Sequence, residues 1–309
     1  MNIVKSVQEL VGNTPVIEIS HLEIPNKCRI FAKLEYMNPG GSVKDRLGLS
    51  LIEDAEKTGR LLPGGTIIEP TAGNTGIGVA LAAIGKGYKV IFVVPEKFSL
   101  EKQTLMRALG AKVINTETRL GMKGAIDKAK ELVEEIPNAF SPSQFSNPAN
   151  PDTYVKALGP ELWNDLDGSI DIFVAGAGSG GTFMGTSTFL KTQKSEIKTV
   201  IVEPEGSILN GGEAGSHATE GIGMEFLPSF MDTAYFDAIH TVSDKDAFHQ
   251  LRRLSKDEGL LVGSSSGAAF HAALKEAESA KVGSHIVTIF PDSSERYLSQ
   301  KVYELFKEE

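Results

Sequence analysis

Short, almost continuously apolar runs alternate with longer amphipathic stretches along most of this 309-residue chain. The runs are Thr66–Glu69, Val90–Val94, Lys112–Asn115, Ile170–Ala175, Thr199–Glu203 and His285–Phe290. They read as strands covered on both faces, because a half-exposed strand would alternate apolar with polar residues. The stretches Lys44–Thr58, Thr75–Lys86, Leu100–Leu109, Met122–Glu134, Thr182–Gln193, Asp244–Glu258, Gly267–Ala280 and Ser294–Lys307 read as helices. Ser243 and Asp246 have the spacing of a capping box at the start of one of them. Strand–helix alternation calls for parallel sheets and right-handed crossovers. Phe140–Pro160, rich in Pro, Asn and Ser, is the best internal boundary. The expected class is α/β, and the length allows two open, twisted α/β domains.

Composition narrows the partners. A net charge of -9 and a pI near 5.3 disfavour nucleic acid and anionic membranes, which need a basic face. The longest apolar stretch, Ile77 to Gly85, falls far short of the ~20 residues that span a bilayer. The opening MNIVKSVQELVG has no signal-peptide pattern, and a lone Cys28 permits no intramolecular disulfide, so a cytoplasmic protein is expected. None of the histidines pair at metal-ligand spacing, and no metal is expected.

The glycines are clustered where strands turn into helices, the place where open α/β sheets bind ligands. NPGGSVKDR (Asn38–Arg46) puts Lys44 in a helix's first turn, where a cation opposes the macrodipole by roughly 0.3–1 kcal/mol. EPTAGNTGIG (Glu69–Gly78) offers backbone N–H groups with Thr71, Asn74 and Thr75, suited to a carboxylate. GAGSGGTFMG (Gly176–Gly185) contains G-x-G-x-x-G, with Glu203 at the end of the next strand, as in a dinucleotide site. Residues 178–182 equally make a cradle for one phosphate monoester, with a helix dipole and two hydroxyls. GSSSGAA (Gly263–Ala269) either caps a helix or points Ser265 at a ring nitrogen.

Taken in order, GGSVKDR, TAGNTG, GSGGT, GIG (Gly221–Gly223) and GSSSGA resemble the cysteine synthase and cystathionine β-synthase family of fold-type II pyridoxal-phosphate enzymes. The resemblance runs from VGNTP (Val11–Pro15) to ERYLS (Glu295–Ser299) and displaces the dehydrogenase reading. It implies a tryptophan synthase β-like fold with pyridoxal 5′-phosphate in an interdomain cleft. Residues 1–12 and 36–146 would form a smaller, mobile substrate-binding domain. Residues 13–35 and 147–309 would form a larger domain that binds the cofactor phosphate. Lys44 matches the Schiff-base lysine, which also moves the substrate Cα proton. Gly178, Ser179, Gly180, Gly181 and Thr182 match the phosphate loop. Asn74 matches the partner of the ring 3′-oxygen, and Ser265 that of the ring nitrogen. Thr71, Ala72, Gly73 and Thr75 match the loop that grips the substrate carboxylate. Gln144 matches a further substrate contact, and Gly221, Ile222 and Gly223 flank the substrate.

These matches imply β-replacement through an α-aminoacrylate. A neutral Ser265 leaves the ring nitrogen unprotonated, which favours β-elimination over transamination. Ala72 stands where most relatives have serine, Met224-Glu225 follow the GIG loop, and KALGPEL (Lys156–Leu162) replaces TTGPEI. These departures resemble the bacterial subgroup that makes cystathionine from O-acetylserine and homocysteine, with Glu225 placed to hold the homocysteine ammonium. Cysteine synthesis from sulfide is the alternative, and a non-catalytic partner of a serine acetyltransferase is a remote one. The resemblance also implies a homodimer without haem or adenosylmethionine control.

Overall fold

The structure, a computed structural model, describes residues 3–71 and 73–307. Among them the strands are β1 (Val16–Ile19), β2 (Arg29–Leu34), β3 (Thr66–Pro70), β4 (Lys89–Pro95), β5 (Lys112–Thr116), β6 (Ala139–Phe140), β7 (Ile172–Gly176), β8 (Lys198–Pro204), β9 (Ala238–Val242) and β10 (His285–Phe290). The α-helices are α1 (Lys44–Lys57), α2 (Asn74–Ala83), α3 (Leu100–Ala108), α4 (Gly121–Glu135), α5 (Ala149–Lys156), α6 (Leu158–Asp165), α7 (Gly181–Gln193), α8 (Asp244–Asp257) and α9 (Ser264–Ser279). The chain divides into two compact α/β units, one of Met1–Val11 with Asn38–Asn150, the other of Gly12–Met37 with Pro151–Glu309.

The first unit holds a parallel sheet in the order β5-β4-β3-β6. Alternation along the strands sends Ile67 and Phe92 to one face and Ile68 and Val93 to the other. The first set packs on Ile52 of α1, Ile77 and Val79 of α2 and Met106 of α3. The second packs on Ala125, Ala129 and Leu132 of α4. Covering both faces is why these strands carry so few polar residues. Helices α1 and α2 meet backbone to backbone. A Cβ built on Gly48 would lie 2.2 Å from the carbonyl carbon of Gly78, and one on Gly78 would lie 2.3 Å from the carbonyl oxygen of Lys44.

The second unit holds a sheet in the order β1-β2-β10-β7-β8-β9. Its pairings are parallel except β1 with β2, which is antiparallel. Ile30, Val174, Val200, Val202 and Ile286 pack on Leu251 of α8 and Phe270 and Ala273 of α9. From the opposite face, Phe173 stacks on Phe183 of α7 with centroids 6.3 Å apart.

Several expectations need correction. The antiparallel β1–β2 pair departs from an all-parallel reading. Strands β1, β2, β6 and β9 escape the sequence patterns, and Phe140–Pro160 contains helix α5. The final stretch is a 3-10 helix only, Ser294–Gln300, stopped by Lys301 in the left-handed region at φ 53. Its N-cap residue Ser293 makes no side-chain cap. The Ser243 cap does form, its hydroxyl accepting the Asp246 N–H at 3.1 Å.

Candidate active site

In the first unit, Lys44 opens α1, its backbone N–H donating to the Ser42 hydroxyl at 3.2 Å. The buried Asp45 carboxylate accepts the Gly40 N–H and folds the Asn38–Gly41 turn back over the helix start. An acid in the first turn also suits the helix dipole that Lys44 opposes. The Lys44 side chain is only partly exposed. Desolvation penalises its ammonium and brings its pKa down to about 8.

The loop after β3 leads into α2 through Gly73 at φ 143, a conformation closed to other residues. A Cβ there would also strike the Lys102 side chain at 2.2 Å. The Thr71 hydroxyl accepts the N–H groups of Gly73 at 3.0 Å and Gly76 at 3.3 Å, so it shapes the turn and keeps only its proton for a ligand. Thr75 donates its hydroxyl proton to Gln144 Oε1 at 2.8 Å. Asn74 is the first residue of α2, and Ala72 lies outside the described residues.

In the second unit, β7 runs into the glycine turn and α7. Gly180, the N-cap, is left-handed at φ 85 and has no side chain to cap the helix. The GIG loop lies against this turn. A Cβ on Gly178 would meet the Gly221 carbonyl oxygen at 2.4 Å, one on Gly176 would meet Ile222 at 2.6 Å, and Gly223 donates its N–H to Ala177 O at 2.9 Å. Ser265 adjoins the same loop, its hydroxyl 3.8 Å from where a Gly221 Cβ would stand. The turn 178–182, residues 221–223 and Ser265 therefore come together within one unit. Helix α9 starts at Ser264, three residues before the expected Gly267, and Gly263 is its N-cap without a side-chain bond. The serines thus occupy the first turn and do not cap it. Glu225 is exposed beside the buried Met224.

Glu203 is excluded as a ribose ligand. It is buried and accepts from the N–H groups of Leu209 and Asn210 and the Thr241 hydroxyl at 2.8, 3.0 and 2.9 Å. Two acids in site-forming loops escaped sequence reasoning. The Asp292 carbonyl accepts the Gly263 N–H at 3.0 Å, and its carboxylate takes the Tyr297 hydroxyl proton beside the start of α9. Burial and that carboxylate push the Tyr297 phenol well above its ordinary pKa. Glu69 is fully buried at the end of β3, where desolvation raises its pKa to about 7 against the N–H groups of Gln144 and Ser143 and the Ser141 hydroxyl. Their signal was position alone, an acid at the carboxyl end of a strand. Among the described residues no group of His, Cys, Asp and Glu is arranged to hold a metal ion. No helix of the described residues is long and apolar enough to cross a membrane.

The family described as "Pyridoxal-phosphate dependent enzyme" matches residues 7–292. The chain belongs to this family. It is 57% identical over 304 residues to the O-acetylserine dependent cystathionine beta-synthase of Bacillus subtilis (strain 168), covering 98% of this chain and 99% of the relative. It is 55% identical over 305 residues to a cysteine synthase of Helicobacter pylori (strain ATCC 700392 / 26695), covering 98% and 100%. The crystal structure of O-acetylserine dependent cystathionine beta-synthase from Helicobacter pylori superposes with a TM-score of 0.95 at 55% identity, covering 98% of this chain and 100% of that one. The protein is thus a pyridoxal-phosphate dependent enzyme of the cysteine synthase and cystathionine β-synthase type.

The residues present fit that cofactor. Thr182 Oγ1, in the first turn of α7, is buried and has no hydrogen-bond partner among the described residues. An uncapped helix start beside an orphaned hydroxyl suits a phosphate, which accepts from N–H and O–H donors at once. A partly buried lysine with lowered pKa suits an aldehyde, because only the neutral amine attacks it.

Proposed function

We propose that this enzyme carries out β-replacement on O-acetylserine with homocysteine as acceptor, giving cystathionine and acetate. The observation that carries the proposal is the 57% identity, end to end, with a relative of that name. It is joined by TAGNTG and the Met224-Glu225 pair after the GIG loop.

When bound, pyridoxal phosphate supplies an electron sink for charge developing at the substrate Cα. The protein does the rest. Lys44 holds the cofactor aldehyde and then moves the Cα proton; with a pKa of about 8, about a tenth of a free amine is neutral at pH 7. Residues 178–182 hold the phosphate. Asn74 would hold the ring through its 3′-oxygen. Ser265 would meet the ring nitrogen with a neutral hydroxyl, an environment that would limit the sink and suit loss of a Cβ leaving group. Thr71, Ala72, Gly73 and Thr75 grip the substrate carboxylate together with Gln144. The first unit acts as the mobile substrate-binding domain, and its closing excludes water. Gly221, Ile222 and Gly223 flank the substrate, and the exposed Glu225 receives the homocysteine ammonium. The working form is a cytoplasmic homodimer.

Synthesis of cysteine from sulfide is the second reading, favoured by the 55% identity with a cysteine synthase. Relatives at nearly equal identity carry both activities in their names, so the acceptor is decided locally. A competition assay supplies O-acetylserine with sulfide and homocysteine together. Mostly cystathionine is expected; mostly cysteine would overturn the choice. Ala72→Ser or Glu225→Gly should move the product ratio towards cysteine.

A further inference from the structure

Glu69 is 0% exposed, and burying a carboxylate costs several kcal/mol unless its oxygens are well bonded. Here they are. Oε1 accepts the Gln144 N–H at 3.1 Å, while Oε2 accepts the Ser143 N–H at 2.9 Å and the Ser141 hydroxyl at 3.3 Å. The β3–β6 ladder stops at the Ile67–Phe140 pair, so beyond it the chain at 141–144 is held by this side chain instead of by strand pairing. Ser143 is left-handed at φ 55, which turns two successive N–H groups towards one anion. An amide in place of the carboxylate would have only one oxygen to offer them.

The bonds converge on Gln144. Its N–H goes to Glu69, its carbonyl accepts from Asn150 Nδ2 at 2.7 Å, and its side-chain oxygen accepts from Thr75 at 2.8 Å. The amide NH2 group is the one part of Gln144 that none of these bonds uses. We propose that Glu69 is a positioning residue for the amino-acid substrate: it pins the backbone of Ser143 and Gln144 so that Thr75 can fix the Gln144 amide with its NH2 group left to donate to the substrate carboxylate. The inference rests on the reading above that Gln144 contacts the substrate.

The test uses the cofactor-loaded enzyme with Glu69→Gln and, in case that variant does not load, Glu69→Asp, which keeps the charge and shortens the reach. Hydrogen–deuterium exchange of the peptide spanning 141–150 should quicken. The O-acetylserine concentration that half-saturates the change in visible absorption should rise about tenfold, as expected for one lost charge-assisted bond. The maximal rate should stay within about twofold and the absorption without substrate should not move, a split that general destabilisation would not produce. Gln144→Ala separates the two claims. If it leaves half-saturation unchanged, the substrate-contact reading fails. If it raises half-saturation while both Glu69 variants leave it unchanged, the positioning role fails alone. If neither Glu69 variant yields folded, cofactor-loaded protein, the role is structural and the proposal falls.

Discussion

Replacing Gly78 with alanine tests the helix crossing that carries Lys44. The added Cβ would stand 2.3 Å from the Lys44 carbonyl oxygen and 2.7 Å from its carbonyl carbon. Both neighbours are backbone atoms of α1, so neither can rotate away. Reaching an ordinary contact of about 3.4 Å means parting the helices by about 1 Å. Overpacking of this kind costs ~1–3 kcal/mol, and rigid backbone on both sides places it in the upper half. Alanine in a helix interior offsets up to ~1 kcal/mol of that. The net loss is about 2 kcal/mol, or about 6 °C in melting temperature for a unit of this size. Because the contact falls on the first residue of α1, the turnover rate should fall about a hundredfold, the order expected for a 1 Å misplacement. The assay pairs a thermal melt with turnover of O-acetylserine and homocysteine. Gly48→Ala presses on the same crossing, 2.2 Å from the Gly78 carbonyl carbon, so the double variant should cost less than the sum. A Gly78→Ala enzyme melting within about 1 °C of wild type, with turnover within about twofold, would mean that the two helices can part without disturbing Lys44.

Three further outcomes are expected. The folded lysine at 44 has its pKa lowered from 10.5 to about 8, so the unfolded chain binds the extra proton between those values. Stability of cofactor-free protein should therefore rise with pH across that window, and covalent capture of the cofactor aldehyde should speed up as pH rises to about 8; chemical melts and stopped-flow absorbance at several pH values check both. Thr182→Val removes a buried hydroxyl that has no partner among the described residues, so cofactor-free stability should hold or improve while cofactor dissociation, followed by dialysis and absorbance, becomes about tenfold easier. Ser265→Asp should keep the cofactor bound yet slow β-replacement, because a carboxylate would hold the ring nitrogen in its protonated form; unchanged turnover would count against the assigned role of that serine.

Legibility followed burial on both faces, with the exception of β5, an edge strand that was readable although it is partly exposed. Strands β3, β4, β7, β8 and β10 are sheathed by helices, and each shows as an apolar run. Strand β2 hides because Lys33 interrupts it. That lysine is fully buried, donating to Thr14 O at 2.6 Å and pairing with Glu161 and Asp165 at 3.0 and 2.7 Å, partners far away in sequence. Strand β1 is a four-residue antiparallel edge whose Glu18 pairs with the Arg29 guanidinium at 2.6 Å, and β9 is a partly exposed edge at the other end. In the site, lysine, serines and glycine turns were readable because their chemistry is unusual in context. Glu69 and Asp292 were not, since a single acid at a strand end looks like any solvated carboxylate until burial and donors are seen.

Residue order alone determined the α/β class and the glycine turns at strand ends, because side-chain periodicity and motif spacing are local properties of the chain, and its ordered motifs already resembled a vitamin B6 enzyme family. The tertiary structure decided which glycines must stay small, since Gly48, Gly78 and Gly178 are each forced by a backbone that comes from elsewhere in the sequence. It also decided the states of the ionisable groups. Lys44 is drawn towards its neutral amine, and Glu69 is raised to about 7, by the desolvation that only packing imposes.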